Sequence, residues 1–198
     1  MSPLARLKMM VEESIRLKDR FFCEHEEKVL AAARLLVEVF QAGGRVFIFG
    51  NGGSAADAQH LAAEFVNRFQ VERPPLAALA LTTDTSILTA VANDYDFKQV
   101  FARQVRAQGR PGDLAWGIST SGNSANVVAG LDTARELSMK TLALSGGDGG
   151  PVAAAADFAL IVPSRNTPRV QEVHITIGHV LCDLVDYLLF PEKFKSGF

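Results

Sequence analysis

The sequence has few of the features that mark membrane, exported or nucleic-acid-binding proteins. Its 198 residues contain no apolar run near the ~20 residues that a membrane-spanning helix requires. The N-terminal segment mixes both charges at helical spacing and has neither an apolar core nor a cleavage-like site, which argues against a signal peptide. Because the formal net charge is -2 and there is no basic cluster, a nucleic-acid-binding surface is not expected either.

Cysteine is also scarce: the chain has two, Cys23 and Cys182, which lie far apart in the sequence. Without an export signal, we expect both to be free thiols in a reducing, cytoplasmic location. No linker, low-complexity tract or repeat of solenoid period interrupts the chain. Because 48% of the residues are apolar, the composition is typical of one globular domain, residues 1–198, that can bury a substantial core.

Alternating helical and strand patterns predict the fold. Amphipathic spacing indicates two N-terminal helices, over residues 4–20 and 25–42, and a long C-terminal helix over residues 170–189. Other helices are expected over residues 54–68, 85–91 and 97–107, after residue 124, and briefly after residue 149. Short branched or aromatic runs predict five strands, over residues 45–49, 76–81, 113–118, 140–144 and 158–162. This alternation is typical of an α/β fold, a three-layer α-β-α sandwich with a five-stranded, doubly wound parallel sheet.

Two polar loops follow predicted strands, where parallel sheets bind their ligands. They are Asn51-Gly52-Gly53-Ser54 and Ser119-Thr120-Ser121-Gly122-Asn123-Ser124. Each opens a helix, whose free N–H groups attract phosphate, and the hydroxyls add neutral donors. Ordinary N-caps and turns are the alternative for either loop alone. Since neither a Walker motif nor a GxGxxG fingerprint is present, the loops predict a bound monophosphate rather than a nucleotide.

The helix after the first loop carries His60 and Glu64, four residues apart and therefore on one face. Such a pair can hold a divalent metal or act as acid and base, although a solvated pair on a surface helix is the commoner case. The C-terminal helix supplies His179, and its spacing leaves either Gln171 or Glu172 as the partner of His179.

Taken together, five segments resemble the phosphoheptose isomerases of the sugar isomerase (SIS) superfamily. They are "GNGGSAADAQHLAAEF", "ANDY", "GISTSGNSANVV", "GGDGG" and "VQEVH....H", in that order along nearly the whole chain. The resemblance implies the SIS fold and an enzyme that interconverts sedoheptulose 7-phosphate and D-glycero-D-manno-heptose 7-phosphate. That reaction begins the synthesis of activated heptose for lipopolysaccharide and other surface polysaccharides. A cytoplasmic homotetramer is implied as well, with the N-terminal helices in a central bundle and the active sites at subunit interfaces.

The resemblance also assigns residues to roles. Substrate contacts are implied for Asn51, Gly52, Gly53, Ser54, Glu64, Asn93, Asp94, Ser119, Thr120, Ser121, Ser124 and Gln171. One zinc ion per subunit would be held by His60, Glu64, Gln171 and His179, so the resemblance selects Gln171 where helical spacing could not. For an enediol mechanism, Glu64 is expected to be the base that moves the carbon-bound proton. His179 is expected to be the acid that transfers protons to and from the oxygens of the sugar.

Two features depart from this assignment. Some family members have an acidic residue shortly before the glutamine, where this chain has Pro168. The contribution of that residue would be either absent or supplied by another acid, such as Asp57 or Glu172. Other segments are similar to a non-catalytic relative that binds the bacterial replication initiator, and this adaptor function is the alternative. That relative lacks the residues matching Glu64 and His179, and this chain has both. A DNA-linked sugar-phosphate sensor is disfavoured, because the chain has no room for a helix-turn-helix domain.

Overall fold

The structure is a computed structural model that describes residues 1–194. The helices are α1 Pro3–Gln41, α2 Gly53–Val66, α3 Thr85–Asp94, α4 Val100–Gln108, α5 Ala125–Glu136, α6 Gly150–Ala154 and α7 Thr167–Leu189. The strands are β1 Val46–Gly50, β2 Ala78–Ala80, β3 Leu114–Ser119, β4 Lys140–Gly146 and β5 Phe158–Val162. Single 3-10 turns occupy Phe97–Gln99 and Pro191–Phe194. Of the helices in this described part, none combines the length and apolarity that crossing a bilayer demands.

All five strands are parallel and lie in the order β2-β1-β3-β4-β5, which confirms the predicted α/β sheet. The order reverses between β1 and β3, since the chain builds outward from β1 to β2 and then returns to the other side of β1. Gly50, at the end of β1, pairs with Ile118, next to the end of β3. The loops that follow these two strands are therefore neighbours at the switch point, where doubly wound sheets bind ligands.

Each strand buries its two sets of alternating side chains against different helices, which produces three layers. Ile48, Trp116 and Leu144 face one side and join a core with α1, α2 and α7. Phe49 and Ala143 face the other side and join a core with α3, α4 and α5. The continuous burial of β1 and β3 is typical of strands covered on both faces.

The two predicted N-terminal helices are present as the two halves of α1, since the backbone leaves helical geometry at His25, where φ is -133° and ψ is 16°. The first of them extends through residues 21–24, which were predicted to lie between the helices. Phe21 is fully buried, and its ring stacks on His25 at 4.9 Å between centroids. Packing of Phe21 against the core therefore keeps this segment helical. That residues 1–198 form one domain stays a prediction, and residues 195–198 lie outside the described part.

Candidate active site between α2 and α7

The first polar loop turns tightly from β1 into α2. Gly52 lies just before the helix with φ +54°, a conformation that favours glycine, and the space beside its Cα is open. Gly50 has no such room, since a Cβ there would lie 2.7 Å from the carbonyl oxygen of Ile118. Asn51 exchanges two hydrogen bonds of 2.8 Å with the amide of Asn126 at the start of α5. This amide pair fixes the distance between the two loops.

Helices α2 and α7 pack side by side and run in the same direction. At their N-terminal ends, the amide of Gln171 lies against Gly53, where a Cβ would approach its Nε2 to 2.1 Å. Two turns later, Gly178 admits the side chain of Leu61, whose methyl carbon would lie 2.5 Å from an added Cβ. Glycines at both contacts let the two backbones approach closely, so side chains next to the contacts meet across the interface.

His60, Glu64 and His179 meet in this way. The Nε2 atoms of His60 and His179 are 2.8 Å apart, and Nε2 of His60 lies 3.4 Å from Oε1 of Glu64. The side chains of His60 and Glu64 are 48% and 23% exposed, so the cluster opens to solvent. One imidazole must carry a proton on Nε2 and the other a lone pair, because two unprotonated nitrogens would repel.

The surroundings of His179 favour the neutral form of its imidazole. Burial lowers the pKa of its imidazole, the charge of His60 lowers it further, and Glu64 opposes both effects. The ring of Phe69, from the loop after α2, stacks on His179 at 5.6 Å between centroids and an interplanar angle of 23°. A neutral imidazole can bind a metal or accept a proton, and the apolar ring on one side fixes its orientation.

Asp57 lies one turn before His60 on the same helix, beside Gln171 and His60. Burial raises the pKa of its carboxyl to about 6, and this rise is partly offset by the nearby Gln171 amide and the charge of His60. Its Oδ2 is buried without a hydrogen-bond partner among the described residues. Between the two acids considered as replacements at the Pro168 position, Asp57 is therefore the one in the site. Glu172 instead accepts a 2.6 Å hydrogen bond from Arg169.

Within residues 1–194, no three His, Cys, Asp or Glu side chains are arranged to hold a metal ion. The donors nevertheless fit zinc chemically, because two imidazoles and a carboxylate are its ordinary ligands. Two nitrogens bound to one tetrahedral zinc lie about 3.3 Å apart, so His60 and His179, whose Nε2 atoms are 2.8 Å apart, need only separate slightly. Gln171 makes no hydrogen bond to either histidine in the part of the chain described, since its amide covers Gly53.

The second polar loop gathers its hydroxyls at the end of β3. The Oγ atoms of Ser119 and Ser124 are 2.9 Å apart, and those of Ser119 and Ser121 are 3.5 Å apart. Ser124 immediately precedes α5, and its side chain makes no capping hydrogen bond. Its hydroxyl and the first backbone N–H groups of α5 can therefore bind an anion, as the N-termini of helices commonly do.

An open cavity of about 470 Å³ adjoins this loop. Its lining includes Thr120, Ser121 and Asn123 from the loop, Arg165 just before α7, and Thr167, the first residue of α7. Arg165 is exposed in this cavity and pairs with Asp148, which also lines it, at 3.5 Å between Nη2 and Oδ2. Another cavity, of about 500 Å³, lies between α3, α4 and α5 and contains none of the predicted site residues.

Two of the predicted substrate-binding residues lie apart from the polar loops and the α2–α7 cluster. Asn93 and Asp94 lie exposed at the end of α3, where the Asn93 amide donates a 2.8 Å hydrogen bond to the Asp94 carboxylate. Among the described residues, neither makes a hydrogen bond to the two loops or to the α2–α7 cluster. His174, the other histidine of α7, is fully buried and lies 3.1 Å from the carbonyl oxygen of Ser145.

Several residues at the site carried no sequence signal that identified them. Asn126 is an unremarkable residue in a helical pattern, and Phe69 and Arg73 lie in a loop whose course cannot be inferred from periodicity. Arg165 precedes α7 in a segment without any pattern. Asp57 was considered only as a replacement acid, although its position one turn before His60 already placed it near that face.

Comparison with known proteins gives consistent matches. Residues 11–146 match the family model described as the SIS domain. A phosphoheptose isomerase from Nitratidesulfovibrio vulgaris is 56% identical over 178 residues, which are 90% of this chain and 86% of that protein. The Aquifex aeolicus phosphoheptose isomerase is 51% identical over 186 residues, 94% of this chain and 97% of that protein.

Solved structures agree with these sequence matches. The phosphoheptose isomerase of Neisseria gonorrhoeae is 47% identical and superposes with a TM-score of 0.88, covering 93% of this chain and 99% of that chain. The Francisella tularensis phosphoheptose isomerase is 40% identical with a TM-score of 0.90, covering 94% of this chain and 99% of that chain.

Proposed function

The chain belongs to the SIS-domain family, among the phosphoheptose isomerases, and from that premise we propose how its residues divide the chemistry. The protein is an aldose–ketose isomerase that interconverts sedoheptulose 7-phosphate and D-glycero-D-manno-heptose 7-phosphate. The matched relatives give no support to the alternative of an initiator-binding adaptor.

The observation that carries the assignment of roles is the meeting of Glu64 and His179 across the α2–α7 interface, with His60 between them. Isomerisation through an enediol needs a base at the carbons and an acid at the oxygens. Glu64 takes the proton from C1 of the ketose and returns it to C2, which gives the aldose. His179 supplies a proton to the C2 oxygen and accepts one from the C1 oxygen, so atoms and charges balance.

The phosphate of the substrate binds near the N-terminal end of α2, away from Glu64. The hydroxyls of Ser119, Ser121 and Ser124 and the free amides of α5 form a neutral cradle there. From Gly53 to His60 the helix rises about 10 Å, which suits a seven-carbon chain that extends from its phosphate to its carbonyl group. Binding the distant phosphate thus positions C1 and C2 beside Glu64.

Zinc is proposed as the cofactor, one ion per subunit, held by His60, Glu64, His179 and a Gln171 amide that turns away from Gly53. When bound, the ion polarises the substrate carbonyl and stabilises the charge on the enediolate oxygen. Because a carboxylate that binds a cation is a weaker base, Glu64 would act as the base while it is not bound to the ion.

We also propose that the enzyme is a cytoplasmic homotetramer and that its product feeds lipopolysaccharide and other surface polysaccharides. The N-terminal half of α1 supports the oligomer, because Leu4, Leu7 and Ile15 are about 60% exposed: 62%, 58% and 61%. A row of large apolar side chains in water is typical of an interface surface.

The test is turnover of sedoheptulose 7-phosphate by purified Glu64→Gln and His179→Ala, with and without added zinc after chelation. Both variants should lose detectable turnover while they keep the oligomer of the unmodified protein. Glu136→Gln, an exposed carboxylate on α5, is the matched control and should be fully active. Near-normal turnover by either site variant would refute the roles assigned here, and metal analysis that finds no zinc in active protein would refute the cofactor.

A further inference from the structure

Arg73, a residue outside the reacting centre, holds together the two helices that supply it. Its side chain is fully buried, and its Nε donates a 2.8 Å hydrogen bond to Asp186 of α7, whose side chain is 1% exposed. Its other nitrogens donate to the last turn of α2, from Nη2 to the carbonyl oxygen of Glu64 at 2.8 Å and from Nη1 to that of Phe65 at 2.6 Å.

These carbonyls are the ones that a helix end leaves unpaired, so the guanidinium caps α2 and complements its dipole. Arg73 also bonds the carbonyl oxygens of Asn67 and Pro74 through Nη1, at 3.3 and 3.2 Å, and thereby closes the loop between them. That loop carries Phe69, whose ring stacks on His179. One side chain thus fixes the backbone of Glu64 and the loop against which His179 rests.

Asp186 completes the connection from the side of α7. It follows His179 by seven residues, or two turns, so both side chains lie on the same face of the helix. The ion pair therefore sets the position of α7 relative to the end of α2, close to the point where Glu64 and His179 meet.

This ion pair is poorly explained by stability alone. Burial raises the pKa of the Asp186 carboxyl in spite of the adjacent Arg73, and its Oδ2 has no hydrogen-bond partner among the described residues. Buried ion pairs of this kind are often no more stabilising than apolar residues of the same size. A need to fix the position of α7 relative to the end of α2 explains why a charged pair is found here.

We propose that Arg73 and Asp186 are positioning residues for the isomerase, which hold Glu64 and His179 at the separation that proton transfer requires. The proposal rests on the catalytic roles given above to Glu64 and His179. A misplacement of about 1 Å at a reacting centre costs up to about 100-fold in rate, so loss of the pair should reduce kcat by roughly 10- to 100-fold. KM should change little, because the phosphate cradle lies at the other end of α2.

The experiment separates positioning from stability with the double variant Arg73→Met/Asp186→Leu, which replaces the pair by apolar residues of similar size. Its free energy of unfolding, measured in urea at a fixed protein concentration, should be near that of the unmodified enzyme. Its kcat should remain low. Arg73→Lys keeps the charge but loses the fork that bonds two carbonyls, and its kcat should be intermediate.

A control is Asp113→Asn, since Asp113 is buried and pairs with the partly exposed Arg45 at the opposite end of the sheet, with Nη2–Oδ2 at 2.7 Å. It should lower stability and leave kcat unchanged.

Asp186→Asn, which keeps the shape of the side chain and one hydrogen-bond acceptor, is the second test if the double variant does not fold. Unmodified kcat in the folded double variant or in Asp186→Asn would overturn the proposal while the roles of Glu64 and His179 stand. Turnover by Glu64→Gln would remove the premise, and the proposal with it.

Discussion

At the residue scale, His174 shows how burial selects a protonation state. The imidazole is fully buried on α7, lies 3.1 Å from the carbonyl oxygen of Ser145, and its Nδ1 has no partner among the described residues. Burial lowers its pKa to about 4, and the contact with Ser145 opposes this only weakly. Nε2 must therefore carry the proton and donate it to the end of β4, next to the phosphate cradle.

This histidine predicts a loss of stability in mild acid. The unfolded chain binds a proton at His174 below about pH 6.5, whereas the folded protein does so only near pH 4. Between those values the unfolded state binds more protons, so the free energy of unfolding falls as pH decreases, by about 3 kcal/mol in total from this residue.

Urea unfolding at pH 7.5 and 4.5, at one protein concentration, measures this effect. His174→Gln keeps a donor for Ser145 and cannot be protonated in this range, so its stability should depend less steeply on pH. An equal pH dependence in the two proteins would show that His174 is not held neutral by the fold.

The same residue shows the limit of sequence analysis at this scale. The sequence assigned no role to His174, and its complete burial and its contact with Ser145 are seen only in the structure. Spacing could not choose between Gln171 and Glu172, because the two positions flank the same helix face. The structure distinguishes them by their neighbours: Gln171 covers Gly53 on α2, whereas Glu172 binds Arg169.

At the scale of elements, α1 is the helix whose apolar surface is least covered by the rest of the subunit. Its second half is buried, with Val29, Ala33 and Leu36 in the core, and its first half is exposed with its apolar side chains in water. A groove of about 620 Å³ between this first half and α7 is lined by Leu7, Ile15 and Arg169, among others. Association with other subunits through this surface is the expected way to cover it.

Charge placed on this surface should therefore dissociate the oligomer. Leu7→Glu and Ile15→Glu each put a carboxylate into a surface that is proposed to be dry in the tetramer, where an unpaired charge is costly. Light scattering after size-exclusion chromatography should find a smaller species than for the unmodified protein. Lys8→Glu, on the same exposed half of α1, is the charge-changing control. A tetramer that survives both substitutions would place the interface elsewhere.

Element boundaries followed from periodicity to within a few residues, and the exception is informative. The two expected N-terminal helices meet at the kink of His25, but the first continues through residues 21–24, which gave no helical signal of their own. Their helical conformation comes from the burial of Phe21 against the sheet, which is a tertiary effect. The parallel packing of α2 on α7, on which the site depends, is likewise set by contacts such as Leu61 with Gly178.

At the scale of the whole molecule, the sheet order brings the two polar loops together. Alternation of strands and helices predicted the parallel sheet, but it does not specify that β1 and β3 are neighbours. The residues of the second polar loop predicted a phosphate site that includes Ser119, whereas the role of Glu64 as the base was implied only by the resemblance to known isomerases. Within one subunit Asn93 and Asp94 remain apart from the cluster, and a site completed by a neighbouring subunit would account for their assignment.

The central claim is that Glu64 carries a proton between C1 and C2 of the sugar, and deuterium exchange in D₂O tests it most directly. Over many turnovers, the unmodified enzyme should introduce solvent deuterium at C2 of the aldose and C1 of the ketose, as read by proton NMR. Glu64→Gln should introduce none. Full interconversion without any deuterium, or exchange by Glu64→Gln at the unmodified rate, would contradict the account.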